Sequence, residues 1–283
     1  MKSKIIITID TEVGEKAKNL DIGFEKLVLG QVDNKEWGVP FIIESCDKYG
    51  FKAEFFIDVY EYKKFGEENF KQLCQDIDVR GHGVQLHTHP SYAYDKNRRD
   101  MYEYSLEEQI QIIKDGKELI KKWIGTYPIS HRAGNYGAND DTLIALKENN
   151  IFIDSSFFYR HPNSKIQAPT INTPILYKDI LQFPVTVVKS FPQRLNIPIP
   201  LKINYKKLDI NGMSLNELKK SIEQLNGKIE YIILFLHSCS FINRNNNQTI
   251  FSKNDDDIES WLNFLLFISK NKFDIVLFKD IVK

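Results

Sequence analysis

Two histidines in the sequence, His87 and His89, stand one residue apart at the end of the apolar stretch GVQL. In a β-strand the side chains of residues i and i+2 point to the same face, so these two imidazoles could converge on one ion. Imidazole is a ligand that suits zinc and other first-row divalent metals. By themselves the two histidines would fit a polar strand end equally well, and other residues must decide between the two interpretations.

An acidic pair, Asp10 and Glu12, could supply the next ligand. Both residues follow the β-branched run Lys4–Ile9, and their spacing of two would point both carboxylates to one face. Two imidazole nitrogens, one carboxylate and one water form the open site of a hydrolytic metal, and a carboxylate outside the metal could act as general base. The residues alone leave open which carboxylate takes which role, and a solvated loop is the alternative.

Two further polar residues, Arg132 and His237, follow other strand-like runs. His237 ends the run Tyr231–Leu236, and a pKa near neutrality makes a histidine there a candidate general acid. The alternative is a hydrogen-bonded core histidine. Arg132 stands in the segment HRAGNYG, and a buried arginine must be paired, for which Asp10 is the predicted partner.

All of these residues occur at the ends of strand-like runs, which alternate with helix-like runs along the chain. Such alternation is typical of βαβ units around a parallel sheet, in which active sites lie at the carboxyl ends of the strands. The sequence therefore predicts an α/β fold with its site at that edge of the sheet. The predicted strands are residues 4–9, 52–58, 83–88, 128–133, 151–156, 181–188, 231–238 and 274–278.

The segments between these strands predict helices and long loops. Capping boxes predict that two helices begin after Ser105 and Ser214, because a glutamate stands three residues after each serine. We predict a single domain over residues 1–283, with a proline- and lysine-containing loop insertion around residues 189–213. Long loops within a compact α/β domain are usually functional or disordered.

The composition argues against several classes of protein. Lys plus Arg and Asp plus Glu both number 38, which is not the basic excess of a nucleic-acid binder. The sequence has no apolar run of about 18 residues and no signal-peptide core at its amino end, so we expect no membrane span and a cytoplasmic location. The three cysteines are widely spaced and form no CxxC pair, which suits a reducing compartment.

In the order and spacing of its motifs, the chain resembles the polysaccharide deacetylases of carbohydrate esterase family 4, which share the NodB-homology domain. The matching segments are IIITIDTE, KYGFKAEFFI, GHGVQLHTHP, HRAGNYGAN, NNIFIDSS and YIILFLHS, which together span most of the chain. The resemblance implies a distorted (β/α)7 barrel with extended loops at its mouth. It also implies a metal-dependent hydrolase that removes an N-acetyl group from an aminosugar of a surface polysaccharide or its precursor.

The resemblance further implies roles for individual residues. Asp10 would be the catalytic base, Arg132 would tether it, and His237 would protonate the leaving amine. A backbone amide near Asn135 or Tyr136 would bind the substrate at the developing oxyanion. The loop that carries these two residues is one residue longer than the family's Arg-x-Pro-Tyr-Gly motif.

The implied metal ligands are Glu12, His87 and His89, and the implied metal is most often zinc, with cobalt and nickel as alternatives. Two departures from the family pattern concern this set. The family's adjacent Asp-Asp pair is Asp-Thr-Glu here, so the roles of the two carboxylates could be exchanged. The family's His-x-x-x-His is His-x-His here, and Ser91 stands four residues after His87. Either His89 or a loop residue must therefore replace the second histidine.

The substrate implied by the resemblance is an N-acetylated sugar, which could be linked to a nucleotide or a lipid. The departures also resemble the WbmS-like branch associated with O-antigen clusters, which implies lipopolysaccharide biosynthesis. Two alternatives stay open: an allantoinase-like or cyclic-imide hydrolase of the same superfamily, and a catalytically decayed glycan-binding domain. An amidohydrolase is disfavoured, because its His-x-His belongs to the first barrel strand and the one here ends the third predicted strand.

Overall fold

A curled sheet of eight strands forms the centre of the computed structural model, which describes residues 2–17, 19–190, 193–194, 197–198 and 204–282. Seven of the strands are parallel, and the eighth, at one edge, is antiparallel. The strands are β1 (Lys4–Thr11), β2 (Glu54–Asp58), β3 (Gly83–Thr88), β4 (Ser130–Ala133), β5 (Ile153–Asp154), β6 (Ile175–Tyr177), β7 (Ile180–Gln182) and β8 (Tyr231–His237). Their order across the sheet is β8-β1-β2-β3-β4-β5-β7-β6, which confirms the predicted α/β fold with a distorted, open barrel.

Helices connect most of the parallel strands. The two predicted capping boxes are present, since the side chains of Ser105 and Ser214 accept hydrogen bonds from the amides of Glu108 and Glu217. The helices are α1 (Val39–Asp47), α2 (Tyr62–Phe65), α3 (Glu67–Val79), α4 (Leu106–Ile124), α5 (Asp140–Glu148), α6 (Leu215–Leu225) and α7 (Asp255–Lys270). None of the helices in the described part of the chain combines the length and apolarity that a membrane span requires.

Alternation along β1 separates an apolar outer face from a mixed inner face. Ile5, Ile7 and Ile9 are buried in the large core that also contains the helices. Ile6 belongs to a separate small core on the opposite face. Because side chains alternate along a strand, Asp10 shares the inner face with Ile6.

The same alternation directs two histidines to the inner face. Leu86 of β3 and Leu236 of β8 are buried in the outer core. His87 and His237 directly follow these leucines, so both point inward. The strands therefore carry their polar residues into the concave side of the sheet, at its carboxyl edge.

Two predicted strands differ in the structure. Residues 181–188 do not form one strand: Ile180–Gln182 lies in the main sheet, whereas Val187–Ser190 pairs antiparallel with Asn204–Lys207. Pro184 lies between the two pieces, and proline cannot donate to a strand ladder. The position of Pro184 explains why the residues after Gln182 leave the main sheet.

The predicted last strand, residues 274–278, is reduced to one bridge between Ile5 and Ile275. β2 occupies that side of β1 only from Thr8 onward. Residues near Ile275 therefore fill the short free stretch of β1, and a 3-10 turn at Phe278–Asp280 then ends the pairing.

Shorter hairpins extend from the sheet. One pairs Gln31–Val32 with Lys35–Glu36, and another, after β8, pairs Ile242–Arg244 with Phe251–Lys253. The predicted insertion around residues 189–213 lies partly outside the described residues, because 191–192, 195–196 and 199–203 are not among them. The insertion and the single-domain boundary stay predictions.

Candidate metal centre and its surroundings

The register of the parallel strands brings the ends of five strands together. Asp10 is paired with His237 across β1 and β8. Asp58 is paired with His87 across β2 and β3, and His87 is paired with Arg132 across β3 and β4. Polar residues that are distant in sequence therefore meet at one edge of the sheet.

At this edge His87 forms a compact triad with Glu12 and His89, and the triad could bind a metal. One ligand atom from each lies within 4.8 Å of the others. Glu12 Oε2 is 2.6 Å from His89 Nε2 and 3.5 Å from His87 Nε2. The His-x-His spacing thus brings both imidazoles to one carboxylate, and Ser91 instead donates a hydrogen bond to Glu15.

The hydrogen bonds around the triad leave its inward atoms without partners outside the triad among the described residues. His87 Nδ1 lies 2.8 Å from the carbonyl oxygen of Arg132, to which only an N–H can donate, so in the neutral imidazole Nε2 carries the lone pair. His87 Nε2, both ring nitrogens of His89 and Glu12 Oε2 are buried, and outside the triad these atoms have no hydrogen-bond partner among the described residues. A divalent metal would be coordinated by all three residues at once. The residues present therefore fit a metal.

Gly134 allows His89 to reach this position. A Cβ atom at residue 134 would lie 2.3 Å from the His89 ring, which is too close for any residue other than glycine. The backbone that follows Arg132 therefore packs directly against the imidazole. The same segment that supplies the arginine also supports one of the candidate ligands.

Protons compete with a metal for this triad. Burial raises the pKa of Glu12, but the positive charge of His89 outweighs burial and holds it well below its usual value. Burial lowers the pKa of His89, and Glu12 overcomes this and raises it to about 10. Without metal the two side chains therefore form an ion pair, and a metal must displace the proton from His89.

Asp10 lies beside the triad and is held by Arg132. Arg132 Nη1 donates to Asp10 Oδ1 at 2.7 Å, and the other guanidinium nitrogens donate to Thr8 and Ser155 at 2.9–3.1 Å. Burial raises the pKa of Asp10, but the Arg132 charge brings it below its usual value. Asp10 is therefore an ionised, oriented carboxylate whose Oδ2 lies 3.9 Å from His87 Nε2.

His237 lies next to Glu12 and is the most accessible of these side chains. Its Nε2 is 3.9 Å from Glu12 Oε1, and 34% of its side chain is exposed. The Phe235 ring packs against His237 at 4.9 Å and lies between two cations, Lys207 at 3.5 Å and Arg132 at 5.0 Å. Burial and the Lys207 charge lower the pKa of His237, which makes its protonated form a stronger acid.

Asn135 and Tyr136 are both in the left-handed backbone region, with φ of 52° and 59°. The Asn135 amide donates to Asp100 at 3.3 Å. The Tyr136 hydroxyl instead accepts from Lys207 at 3.0 Å, and its ring packs against Phe158. Asn135 lines the cavity beside Glu12, whereas the Tyr136 side chain supports the wall behind it.

Two buried carboxylates near the triad were not predicted from the sequence. Burial raises the pKa of Asp58 to about 7, and its Oδ2 is without a hydrogen-bond partner. Glu61 accepts hydrogen bonds from the amides of Val13 and Gly14 at 2.8–2.9 Å, and so holds the loop that follows Glu12. Asp58 ends a predicted strand, so the strand-end rule could have found it.

His131 faces away from the triad, on the other side of the sheet from His87. Its Nδ1 lies 2.8 Å from Asp154, and its Nε2 lies 3.0 Å from the Thr88 hydroxyl. These contacts satisfy both ring nitrogens, so His131 supports the strand ends and leaves the triad to His87 and His89.

A cavity of about 240 Å³ opens above the triad. Larger depressions of about 1100 and 990 Å³ lie elsewhere and contain none of the site residues, so we assign the chemistry to the smaller cavity, where the buried charges are. It is lined by Glu12, Val13, Gly14, Glu15, His89, Arg99, Asn135, His237, Cys239 and Arg244.

Comparisons with family models and with curated proteins found no match. Solved structures do resemble the chain. A protein assigned as a polysaccharide deacetylase from Mycobacterium smegmatis has a TM-score of 0.60 at 12% identity, covering 98% of this chain and 87% of its own. The Bc1960 peptidoglycan N-acetylglucosamine deacetylase has a TM-score of 0.54 at 11% identity, covering 99% and 87%.

A third similar structure is BA3943 from Bacillus anthracis, a pseudoenzyme of carbohydrate esterase family 4. Its TM-score is 0.52 at 10% identity, covering 100% of this chain and 66% of its own. At such identities, structural likeness establishes the fold, which is that of the NodB-type polysaccharide deacetylases. The fold includes both enzymes and a pseudoenzyme, so activity must be argued from the site.

Proposed function

We propose that this protein is a metal-dependent hydrolase that removes an N-acetyl group from an aminosugar of a surface polysaccharide or its precursor. The observation that carries the proposal is the triad of Glu12, His87 and His89, whose inward atoms are buried and have no hydrogen-bond partner outside the triad among the described residues. Asp10 and His237 each lie 3.9 Å from a member of the triad, Asp10 from His87 and His237 from Glu12. A ligand set with a carboxylate and an imidazole close by suits metal-assisted amide hydrolysis.

A divalent metal in such a site supplies Lewis-acid chemistry to an amide carbonyl and to water. Zinc is the metal that we propose, and cobalt and nickel suit the same nitrogen and oxygen donors.

The protein's own groups would handle the protons. Asp10, kept ionised by Arg132, would take a proton from the attacking water. His237 would donate a proton to the nitrogen as the carbon–nitrogen bond breaks, releasing acetate and a free amino sugar. A backbone amide near Asn135 or Tyr136 would donate a hydrogen bond to the oxyanion.

A second candidate is a catalytically decayed glycan-binding protein. The existence of a pseudoenzyme with this fold favours keeping it. The site combines a candidate base held by an arginine, a candidate acid and a set of candidate ligand atoms. A glycan-binding protein would not need this combination, which argues against the second candidate. Hydrolysis of a different amide, such as a cyclic imide, is the other alternative, and the choice of substrate distinguishes it.

The test combines metal content with acetate release. The purified protein should hold about one divalent ion per chain, and His87→Ala should lose it. With metal, the wild-type protein should release acetate from N-acetylated sugars, whereas cyclic imides should not react.

His161→Ala provides the control, since His161 is a partly exposed histidine outside the triad. It should keep the metal. Stoichiometric metal without acetate release from any N-acetylated sugar would support the glycan-binding alternative instead.

A further inference from the structure

We propose that the substrate carries an anionic group, a carboxylate or a phosphate. Arg99 and Arg244 would bind this group at the mouth of the cavity above the triad. Both arginines line the cavity that contains Glu12, His89 and His237. The inference rests on the proposed function, because it names the substrate class of the same site.

Two separate loops bring these arginines together. Arg99 lies in the loop between β3 and α4, and Arg244 ends the first strand of the hairpin that follows β8. The guanidinium group is weakly hydrated, and its paired N–H donors match the oxygens of carboxylate and phosphate. A neutral acetamido sugar needs no such cations, so their convergence on one small cavity points to an anion.

Arg99 is anchored in a way that leaves donors available. Its amide donates to Glu103 at 2.7 Å, and its Nε lies 3.5 Å from Oδ1 of the buried Asp100. The Asn135 amide donates to the same oxygen, so Arg99 is joined through Asp100 to another wall of the cavity. Half of the Arg99 side chain, 52%, remains exposed.

Arg244 is held by its hairpin and acts electrostatically on the same cavity. Its backbone pairs with Phe251, and its side chain is exposed. Burial raises the pKa of Cys239, another lining residue, and the Arg244 charge opposes that shift. Arg244 and Cys239 therefore both border the same cavity.

With a divalent metal bound to the triad, the charge of the cavity would favour an anion. Its carboxylates are Glu12, which would be committed to the metal, and Glu15, which accepts a hydrogen bond from Ser91. The two arginines and a divalent ion together exceed these two negative charges, and they still exceed them when Asp100 beside Arg99 is counted as a third. A substrate with a carboxylate or phosphate close to its acetamido group would complete the balance.

The experiment compares four acetylated sugars. One is neutral (tri-N-acetylchitotriose), one carries a carboxylate (2-acetamido-2-deoxyglucuronic acid), and two carry phosphate (N-acetylglucosamine 1-phosphate and its uridine diphosphate ester). One anionic class should exceed the neutral sugar in kcat/KM by at least about tenfold. Arg99→Gln and Arg244→Gln should each lower that advantage by about tenfold, with little effect on the neutral sugar, and added salt should reduce it.

Arg80→Gln is the matched control, because Arg80 is exposed and lies before β3, at the opposite edge of the sheet. It should behave as the wild type. Calorimetric titration with glucuronate and with inorganic phosphate gives an independent readout, and binding should weaken in Arg99→Gln and Arg244→Gln alone. Which probe binds identifies the carboxylate or the phosphate.

The outcomes separate the two proposals. Equal acetate release from neutral and anionic sugars, unchanged in both arginine variants, overturns the anion site and leaves the deacetylase. Anion binding that is lost in both variants, without acetate release from any sugar, supports the anion site and overturns the deacetylase. A loss of the same size in Arg80→Gln overturns the anion site.

Discussion

At the scale of single residues, the site is a cluster of buried charges in which most groups have a specific partner. Arg132 is fully buried and donates to Asp10, Thr8 and Ser155. Removing one member of such a buried pair costs about 3–5 kcal/mol, because the other charge is left uncompensated. The triad is the exception, since its inward atoms have hydrogen-bond partners only within the triad among the described residues. This exception is what marks it as the place for a cation.

Asp10→Asn tests the separation between metal binding and proton transfer. Because Asp10 lies beside the triad and not within it, the variant should keep its metal. The amide cannot accept a proton from water, so kcat should fall by about 10² to 10⁴. Metal analysis and acetate release on the same sample measure both effects.

Loss of the metal in Asp10→Asn would show that Asp10 is a ligand and that Glu12 must be considered as the base. Asp78→Asn is a suitable control, since Asp78 lies near the end of α3, away from the site.

Glu54 gives a prediction about pH. Burial raises the pKa of Glu54 from 4.5 to about 7, and hydrogen bonds from Phe278 and Gln85 only partly oppose this. Between pH 4.5 and 7 the folded state keeps a proton that the unfolded state releases. The contribution of Glu54 to stability is therefore complete below pH 4.5 and is lost as pH rises through 7.

Denaturant titrations of the wild type and Glu54→Gln, which cannot titrate, should show this loss. The stability of the wild type relative to the variant should fall by about 3 kcal/mol between pH 4 and pH 8. A difference that stays constant over this range would mean that Glu54 is ionised in the folded state throughout.

At the scale of secondary-structure elements, the period of two in the strands explains which part of the site could be predicted. Asp10, His87 and His237 follow apolar strands, and the ends of parallel strands share an edge. The same rule applies to Asp58, but no histidine or carboxylate stands two residues away from it to indicate a site. Each of these positions is fixed by pairing within one sheet.

The loops could not be predicted in the same way. Three side chains reach the site from segments in which apolar residues have no regular spacing: Arg99, Arg244 and Glu61. Nothing in the sequence therefore indicates where these side chains point. The position of His89 also depends on Gly134, which lies on another strand's loop. Such a close approach between distant backbones is a tertiary property.

Gly116 gives a prediction about how helix α4 packs. A Cβ atom there would lie 2.6 Å from the Tyr60 hydroxyl and 2.7 Å from Leu86. The Tyr60 hydroxyl also donates to the carbonyl oxygen of Ile112 at 2.6 Å, which fixes its position. Gly116→Ala should therefore lower the free energy of unfolding by about 1–3 kcal/mol, although alanine is the better helix former by about 1 kcal/mol.

Chemical denaturation measures this effect. A more stable Gly116→Ala protein would show that helix propensity outweighs packing at this position. Tyr60→Phe removes one of the two clashing atoms, so the double variant should lose less than the sum of the two single changes.

At the scale of the whole molecule, the candidate ligands connect distant parts of the sheet. Glu12 follows β1, whereas His87 and His89 come from the end of β3, with β2 between them. A bound metal would therefore join segments that the unfolded chain keeps apart. Metal binding should consequently stabilise the fold as well as the site.

Chelation tests this link. An ion that binds the folded state alone adds about 4 kcal/mol at a thousandfold excess over its Kd, so a chelator should lower the Tm by several degrees. Calorimetry of the wild type with and without chelator measures the shift.

His89→Ala should melt at one temperature in both conditions, and His161→Ala, which alters a histidine outside the triad, should respond like the wild type. An unchanged wild-type Tm would contradict a metal that bridges β1 and β3.

The overall α/β architecture could be predicted because alternating strands and helices leave strong periodic signals. The two wrong strands, residues 181–188 and 274–278, were apolar runs whose role depended on neighbours. Pro184 divides the first, and the pairing of β2 limits the second to one bridge. An apolar run predicts burial well, whereas its place in a sheet depends on which edges other strands leave open.

The position of β1 between β2 and β8 has a consequence for the order in which the protein is made. A ribosome completes the triad once His89 has emerged, whereas His237 arrives much later, with the strand that covers the other edge of β1. The nascent chain would therefore acquire its candidate metal ligands before its candidate acid. Closing the sheet and completing the candidate catalytic set would be a single late event, so we expect that an unfinished chain would not act on the proposed substrate.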